Sequence, residues 1–259
     1  MPRTVVSLPS PFLAIFFVIL GLTFGSFTSV LISRIPAGES MWTRSKCPKC
    51  ERQITARENI PILSYLLLKG RCSGCHTKIS PLYPALEAGM ALLYLLPIFI
   101  FHSWTAIFLW LVIVTFGLPL AAIDLLHHRL PDVLTGALLL ASTLVVVISA
   151  LVHHRFDRLL PSAIGAVSLL SFYLAIMIIS KGGMGMGDVK LSPSIGLISG
   201  FFGLRAVLVS SFAAYILGSV IGVALMIAGR AGRKTAIPFG PFMIVGQIIS
   251  LLVLSRSGS

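Results

Sequence analysis

A chain of 259 residues with 56% hydrophobic and only 11% charged residues lies outside the range of soluble globular domains. Its formal charge of +12 invites a nucleic-acid reading, but the basic residues gather in one loop and at alternate ends of apolar runs. That is the pattern of the positive-inside rule and not of a phosphate-binding face, so we expect an all-α, polytopic membrane protein partnered by the lipid bilayer and not by nucleic acid.

The first apolar run covers residues 11–33 and continues through Gly25-Ser26-Phe27, too long for a cleaved signal. It ends at Arg34-Ile35-Pro36, and residues 34–82 form the one polar segment able to fold outside the bilayer. Nine of the twenty Lys and Arg residues and all four cysteines lie there. Seven further spans fit residues 83–101, 105–125, 132–152, 159–180, 187–201, 206–229 and 236–254, about eight in all, the sixth being short and glycine-rich. With the basic loop cytoplasmic, both termini lie outside. Cytoplasmic ends then carry the loop's nine basic residues plus Arg129, Lys181, Arg230, Arg233 and Lys234, against Arg3, Arg155, Arg158, Arg205 and Arg256 outside. The expected organisation is a first helix (1–33), a cytoplasmic loop domain (34–82) and a seven-helix membrane domain (83–259).

Within the loop, Cys47-Pro-Lys-Cys50 and Cys72-Ser-Gly-Cys75 are two C-x-x-C knuckles separated by 21 residues. Four thiolates so arranged can close a tetrahedral structural zinc site. A reducing cytoplasm disfavours two disulfides, and a redox C-x-x-C leaves the duplication unexplained. About fifty residues are too few to hold together by a hydrophobic core, so a structural metal suits this loop.

The chain has only eight acidic residues. Glu39, Glu51 and Glu58 lie in the loop and Asp157 in a short outer turn, which leaves Glu87, Asp124, Asp132 and Asp188 near or within the bilayer. Asp124 falls at the cytoplasmic end of the third span, in Ile123-Asp124-Leu-Leu-His-His-Arg129. Asp188 falls at the cytoplasmic start of the sixth, in Lys181-Gly-Gly-Met-Gly-Met-Gly-Asp188-Val-Lys190, with four glycines in the six residues before it. Those glycines weaken a helix and let a backbone or substrate come close. An ionisable group at membrane depth needs a partner or a chemical task. Two carboxylates at one membrane face can act as an aspartic-protease pair, one taking a proton from water and the other protonating the scissile carbonyl. Local ion pairs, Asp124 with Arg129 or Asp188 with Lys190, are the structural alternative. Asp132 reads as a helix N-terminal capping acid, Glu87 as a structural or substrate-contact residue, and His127 and His128 as proton carriers or headgroup-level residues.

Taken together, the chain resembles the type IV prepilin peptidases, bacterial membrane aspartic proteases with a Gly-x-Gly-Asp motif. The resemblance runs through Gly25-Ser-Phe27, Arg34-Ile-Pro36, the cysteine loop with Asn59-Ile-Pro61, Gly70-Arg-Cys72 and Ile79-Ser80, and then Tyr83-Pro84 with Glu87. It continues through Ile123-Asp124 with Leu130-Pro-Asp132, Gly185-Met-Gly-Asp188-Val-Lys190 and Ile237-Pro-Phe-Gly-Pro-Phe242. It implies cleavage of a basic leader from prepilins or pseudopilins at the cytoplasmic face of the bacterial inner membrane. Asp124 and Asp188 would be the catalytic pair, with Gly185 and Gly187 supporting the second. It further implies N-methylation of the new N-terminus by S-adenosylmethionine, with Cys47, Cys50, Cys72 and Cys75 as zinc ligands. Ser29 stands where the family has asparagine, and Ser192-Pro193 replaces apolar residues, with Pro193 a potential kink. A peptidase without the transferase, or a proton-coupled transporter using the two aspartates, are the competing readings; a transporter would show paired halves, and no duplication stands out.

Overall fold

The computed structural model describes residues 10–41, 43–180, 184–230, 232 and 237–254. Of the expected features, Lys181 with the two glycines after it, and Arg3, Arg233, Lys234 and Arg256, lie outside the described residues. The described chain is helical almost throughout: α1 (Pro11–Ala37), α2 (Leu63–Leu67), α3 (Leu82–Leu95), α4 (Pro97–Ile100), α5 (Trp104–His127), α6 (Asp132–Val152), α7 (Leu159–Ile179), α8 (Met186–Phe202), α9 (Leu204–Ile227) and α10 (Gly240–Leu254). Among the described residues the only β pairing is two isolated bridges.

Each expected span falls on helix, the one at 83–101 on two, α3 and α4. Six are long and apolar enough to cross a membrane, whereas α8 with 17 residues and α10 with 15 are shorter. Large apolar side chains such as Phe12, Ile179 and Ile227 are left bare, 78%, 78% and 83% exposed, as lipid-facing positions are. The helix ends follow from local chemistry. At the start of α1 the Ser10 hydroxyl accepts from the Leu13 amide at 3.3 Å, Pro11 occupies the first turn, and Gly38 closes the helix in the left-handed conformation at φ 68°. α8 runs unbroken through Pro193.

By contacts the chain divides into two compact units, Val6–Phe99 and one from Ile100 onward. In the first, α1 lies against α3. A Cβ on Gly21 would sit 2.6 Å from Ala91 Cα, and one on Gly25 would sit 2.6 Å from Glu87 Cα. Where lipid supplies no hydrophobic drive between helices, such absent side chains are what let two backbones close. The loop between them holds the knuckles as two matching turns. The Cys47 amide donates to Arg52 O at 3.0 Å and the Glu51 amide to Cys47 O at 2.9 Å; the Cys72 amide donates to Thr77 O at 2.9 Å and the His76 amide to Cys72 O at 3.0 Å. Glu51 and His76, at the same place in each turn, both have positive φ, 55° and 56°.

In the second unit α5 has most of its apolar stretch buried, and α8 packs closely on α7 and also touches α6, α9 and α10. A Cβ on Gly196 would lie 2.1 Å from Gly165 O, so this contact requires glycine. Buried hydroxyls in α8, α9 and α10 bond within the bundle, Ser199 reaching Gln247 Oε1 at 2.6 Å and Ser250 reaching Ala206 O at 2.9 Å.

Candidate active site

Asp124 sits in the last turn of α5 and is 5% exposed. His128 then turns the chain out of the helix in the left-handed region, φ 51°, its amide donating to Asp124 O at 2.8 Å. Leu130 follows, buried, and becomes the wedge of the site. A Cβ on Gly187 of α8 would stand 2.8 Å from Leu130 Cβ, and one on Gly240 of α10 would stand 3.2 Å from its methyl groups. Leu130 therefore draws the N-termini of α8 and α10 to the end of α5.

Those two N-termini carry the polar features. Asp188 lies in the first turn of α8, 7% exposed, its amide donating to Gly185 O at 3.2 Å. Gly240 opens α10, and its amide, which no helical carbonyl can use, donates to Asp124 Oδ2 at 3.1 Å. Each carboxylate thus meets the positive end of a helix, and the two lie within electrostatic reach of each other.

Neither aspartate forms an ion pair among the described residues. Lys190 bonds Asp132 Oδ1 at 2.7 Å and not Asp188. Asp132 is the first residue of α6 and not its cap, which is Pro131, because its carboxylate is taken by Lys190. Residues of one motif also differ: Gly187 is forced by Leu130, whereas a Cβ on Gly185 would meet Asp188 Oδ2 at an ordinary 3.5 Å. Sequence reasoning did not find the Gly240 amide or the Leu130 wedge, although both lie in motifs that carried the resemblance. It also missed an aromatic group in which Tyr173 stacks on Tyr215 at 6.0 Å and Tyr215 meets Phe239 at 5.1 Å; both tyrosines are within electrostatic reach of Asp188.

In the first unit the Sγ atoms of Cys47, Cys50, Cys72 and Cys75 all lie within 4.8 Å of one another, a donor set that could hold a metal ion. The loop around them is braced by Glu58, whose carboxylate meets Ser73, the Thr55 amide at 3.0 Å and Arg52. Those partners, the Ser73 hydroxyl foremost, hold its pKa down to about 2. A cavity of about 1260 Å³ opens within this unit, walled among others by Ser26, Arg34, Asn59, Tyr65, Tyr83 and Glu87.

Two family models match the chain. Residues 19–101 match the bacterial peptidase A24 N-terminal domain, and residues 106–227 match the type IV leader peptidase family. Proteins named prepilin leader peptidase/N-methyltransferase are similar over most of the chain. The one from Stutzerimonas stutzeri is 34% identical, covering 90% of this chain and 88% of the relative. The chain belongs to the type IV leader peptidase family. The protein of that name from Bacillus subtilis is 32% identical, over 90% of this chain and 92% of its own, and that from Myxococcus xanthus 36%, over 87% and 67%. No solved structure matches the chain. As family membership requires, it is a multi-pass helical membrane protein.

Proposed function

We propose that this protein cleaves the leader peptide of type IV prepilins or pseudopilins with Asp124 and Asp188 and then N-methylates the new N-terminal residue. The observation that supports the peptidase reading is that two buried carboxylates, from α5 and α8, lie within electrostatic reach of each other with no ion pair to either among the described residues. Two close carboxyl groups share a proton. The ionised one takes a proton from water as it attacks the scissile carbonyl, and the protonated one donates to the carbonyl oxygen, with no covalent intermediate. The basic loop faces the cytoplasm of a bacterial inner membrane, both termini lie outside, and the two short helices α8 and α10 complete eight spans. Gly185 and Gly187 set the approach to Asp188.

The four cysteines suit zinc. Bonds of ~2.3 Å put tetrahedral sulfurs ~3.8 Å apart, and Cys47 and Cys75 Sγ are 3.7 Å apart. The metal's task is to hold the loop. The cavity beside it suits S-adenosylmethionine, with Tyr65 and Tyr83 for an adenine face and carboxylates for a cationic ligand; when bound, that co-substrate supplies the methyl group. We place methyl transfer in the unit ending at Phe99 and cleavage in the unit from Ile100.

The test is intact mass spectrometry of a purified prepilin incubated in lipid with S-adenosylmethionine. Loss of the leader plus one methyl group is expected from the unaltered protein, and neither from Asp124→Asn or Asp188→Asn inserted normally. Cleavage by either variant removes that aspartate from the pair, and cleavage without the methyl removes the transferase.

A further inference from the structure

Among the carboxylates of its unit Glu39 and Glu51 are exposed and Glu58 is tied to Arg52. Glu87 is half-buried near the start of α3 and forms no ion pair among the described residues. Its Oε2 accepts a 2.6 Å bond from the Ile62 amide. Ile62 reaches that position at φ 59° and ψ −50°, where a β-branched residue is an outlier. Such backbone persists only where its surroundings dictate it, and it clusters at sites that bind or react. Ile62, Ser26 and Glu87 all line the same cavity.

Of the cations that wall the cavity, Arg34 and Arg52 are committed elsewhere, and Arg44, Lys46 and Lys78 form no ion pair with Glu87 among the described residues. The Arg34 guanidinium donates to the carbonyls of Ser40, Met41 and Thr43 at 3.2, 3.3 and 2.6 Å, and Arg52 pairs with Glu58. A carboxylate held by the Ile62 amide and the Ser26 hydroxyl, with no ion pair among the described residues, and opening on a cavity suits a cationic donor brought by a ligand.

We propose that Glu87 receives the α-ammonium group of the freshly cleaved pilin and takes one of its protons for methyl transfer. This rests on the transferase reading above. An ammonium nitrogen has no lone pair and cannot attack carbon. When Glu87 accepts one proton, the freed pair forms the new N–C bond to the methyl of the sulfonium donor. The C–S bond breaks and its electrons stay on sulfur, leaving a neutral thioether. The product is then the secondary ammonium, which keeps its two remaining protons, and Glu87 returns the proton it accepted to water. The Ile62 amide and the Ser26 hydroxyl orient the carboxylate toward the nitrogen.

The test compares the unaltered protein, Glu87→Gln and Glu87→Asp in lipid vesicles. The probes are a fluorescent peptide with the mature pilin N-terminus, carrying a free amine, and the same peptide N-acetylated. The unaltered protein should bind the free amine roughly tenfold or more tighter, as expected for a charge-assisted hydrogen bond. Glu87→Gln should lose that preference and its methyl transfer while keeping its zinc; Glu87→Asp should keep part of both. If Glu87→Gln loses zinc, Glu87→Asp carries the comparison. Equal binding of the two peptides by the unaltered protein, or a folded Glu87→Gln that still methylates within about threefold, overturns this role while the transferase stands. An unaltered protein that never methylates overturns the transferase reading and this inference with it.

Discussion

Replacing Gly240 with alanine is the most direct probe of how Asp124 is held. The added Cβ would lie 2.8 Å from Asp124 Oδ2, closer than carbon and oxygen tolerate, and 3.2 Å from both Leu130 methyls. The backbone there opens α10, so the carboxylate at the end of a flexible side chain must give way. As it swings off it loses the bond from the Gly240 amide, now 3.1 Å. A hydrogen bond to a charged group contributes ~1.5–3 kcal/mol, and if that support is needed in the transition state the cleavage rate falls roughly ten- to hundredfold. The assay is kcat/KM for prepilin cleavage in lipid, with methyl transfer to a precleaved pilin as the control for intact protein. Gly240→Ala cleaving within about twofold of the unaltered protein would show that the amide does not position Asp124 for the reaction.

The two motif glycines should separate. Gly187→Ala pushes a Cβ to 2.8 Å from Leu130 Cβ and should cut cleavage severely, whereas Gly185→Ala meets only an ordinary 3.5 Å contact and should cost far less; equal losses in kcat/KM would refute the Leu130 wedge. Gly196→Ala forces α7 and α8 apart against Gly165 O at 2.1 Å and should lower the melting temperature in detergent by several degrees, while Gly136→Ala, with nothing within 4 Å, should not lower it. Glu58→Gln should speed removal of zinc by a chelator. A carboxylate with its folded pKa lowered to about 2 stabilises above the ordinary carboxylate range and loses that contribution only as pH falls toward 2. The ratio of rates should therefore be the same at roughly pH 7 and 5.5, and a ratio that collapses by the lower value would refute this bracing.

Much of the architecture was legible because lipid makes apolar runs unambiguous. The expected span 105–125 is Trp104–His127, and the short glycine-rich span 187–201 is Met186–Phe202. The knuckles were legible because the spacing of thiols is itself the signal. The partners of the charges were not, and the reason is geometric. The local pair Asp188–Lys190 fails because residues two apart on a helix point to different sides, and Lys190 finds Asp132, 58 residues away. Arg129 is turned off the face of α5 by the left-handed His128. The donor to Asp124 is a backbone amide 116 residues on, which has no side-chain signature at all. Ile62 was hidden for the opposite reason, since its side chain argues against the conformation it adopts.

The arrangement also explains why a carboxylate pair can sit buried with no lysine or arginine bonded to it among the described residues. A lysine or arginine bonded to either aspartate would stabilise it there, but would occupy the oxygens that water and the scissile carbonyl must reach. Helix N-termini supply compensation of another kind. Asp188 sits in the first turn of α8 and Asp124 accepts the first amide of α10, so each charge meets fixed N–H dipoles on one side and leaves the other side open. The diversion of Lys190 to Asp132 belongs to the same design, because it removes from the mouth of α8 the one lysine that shares Asp188's helix.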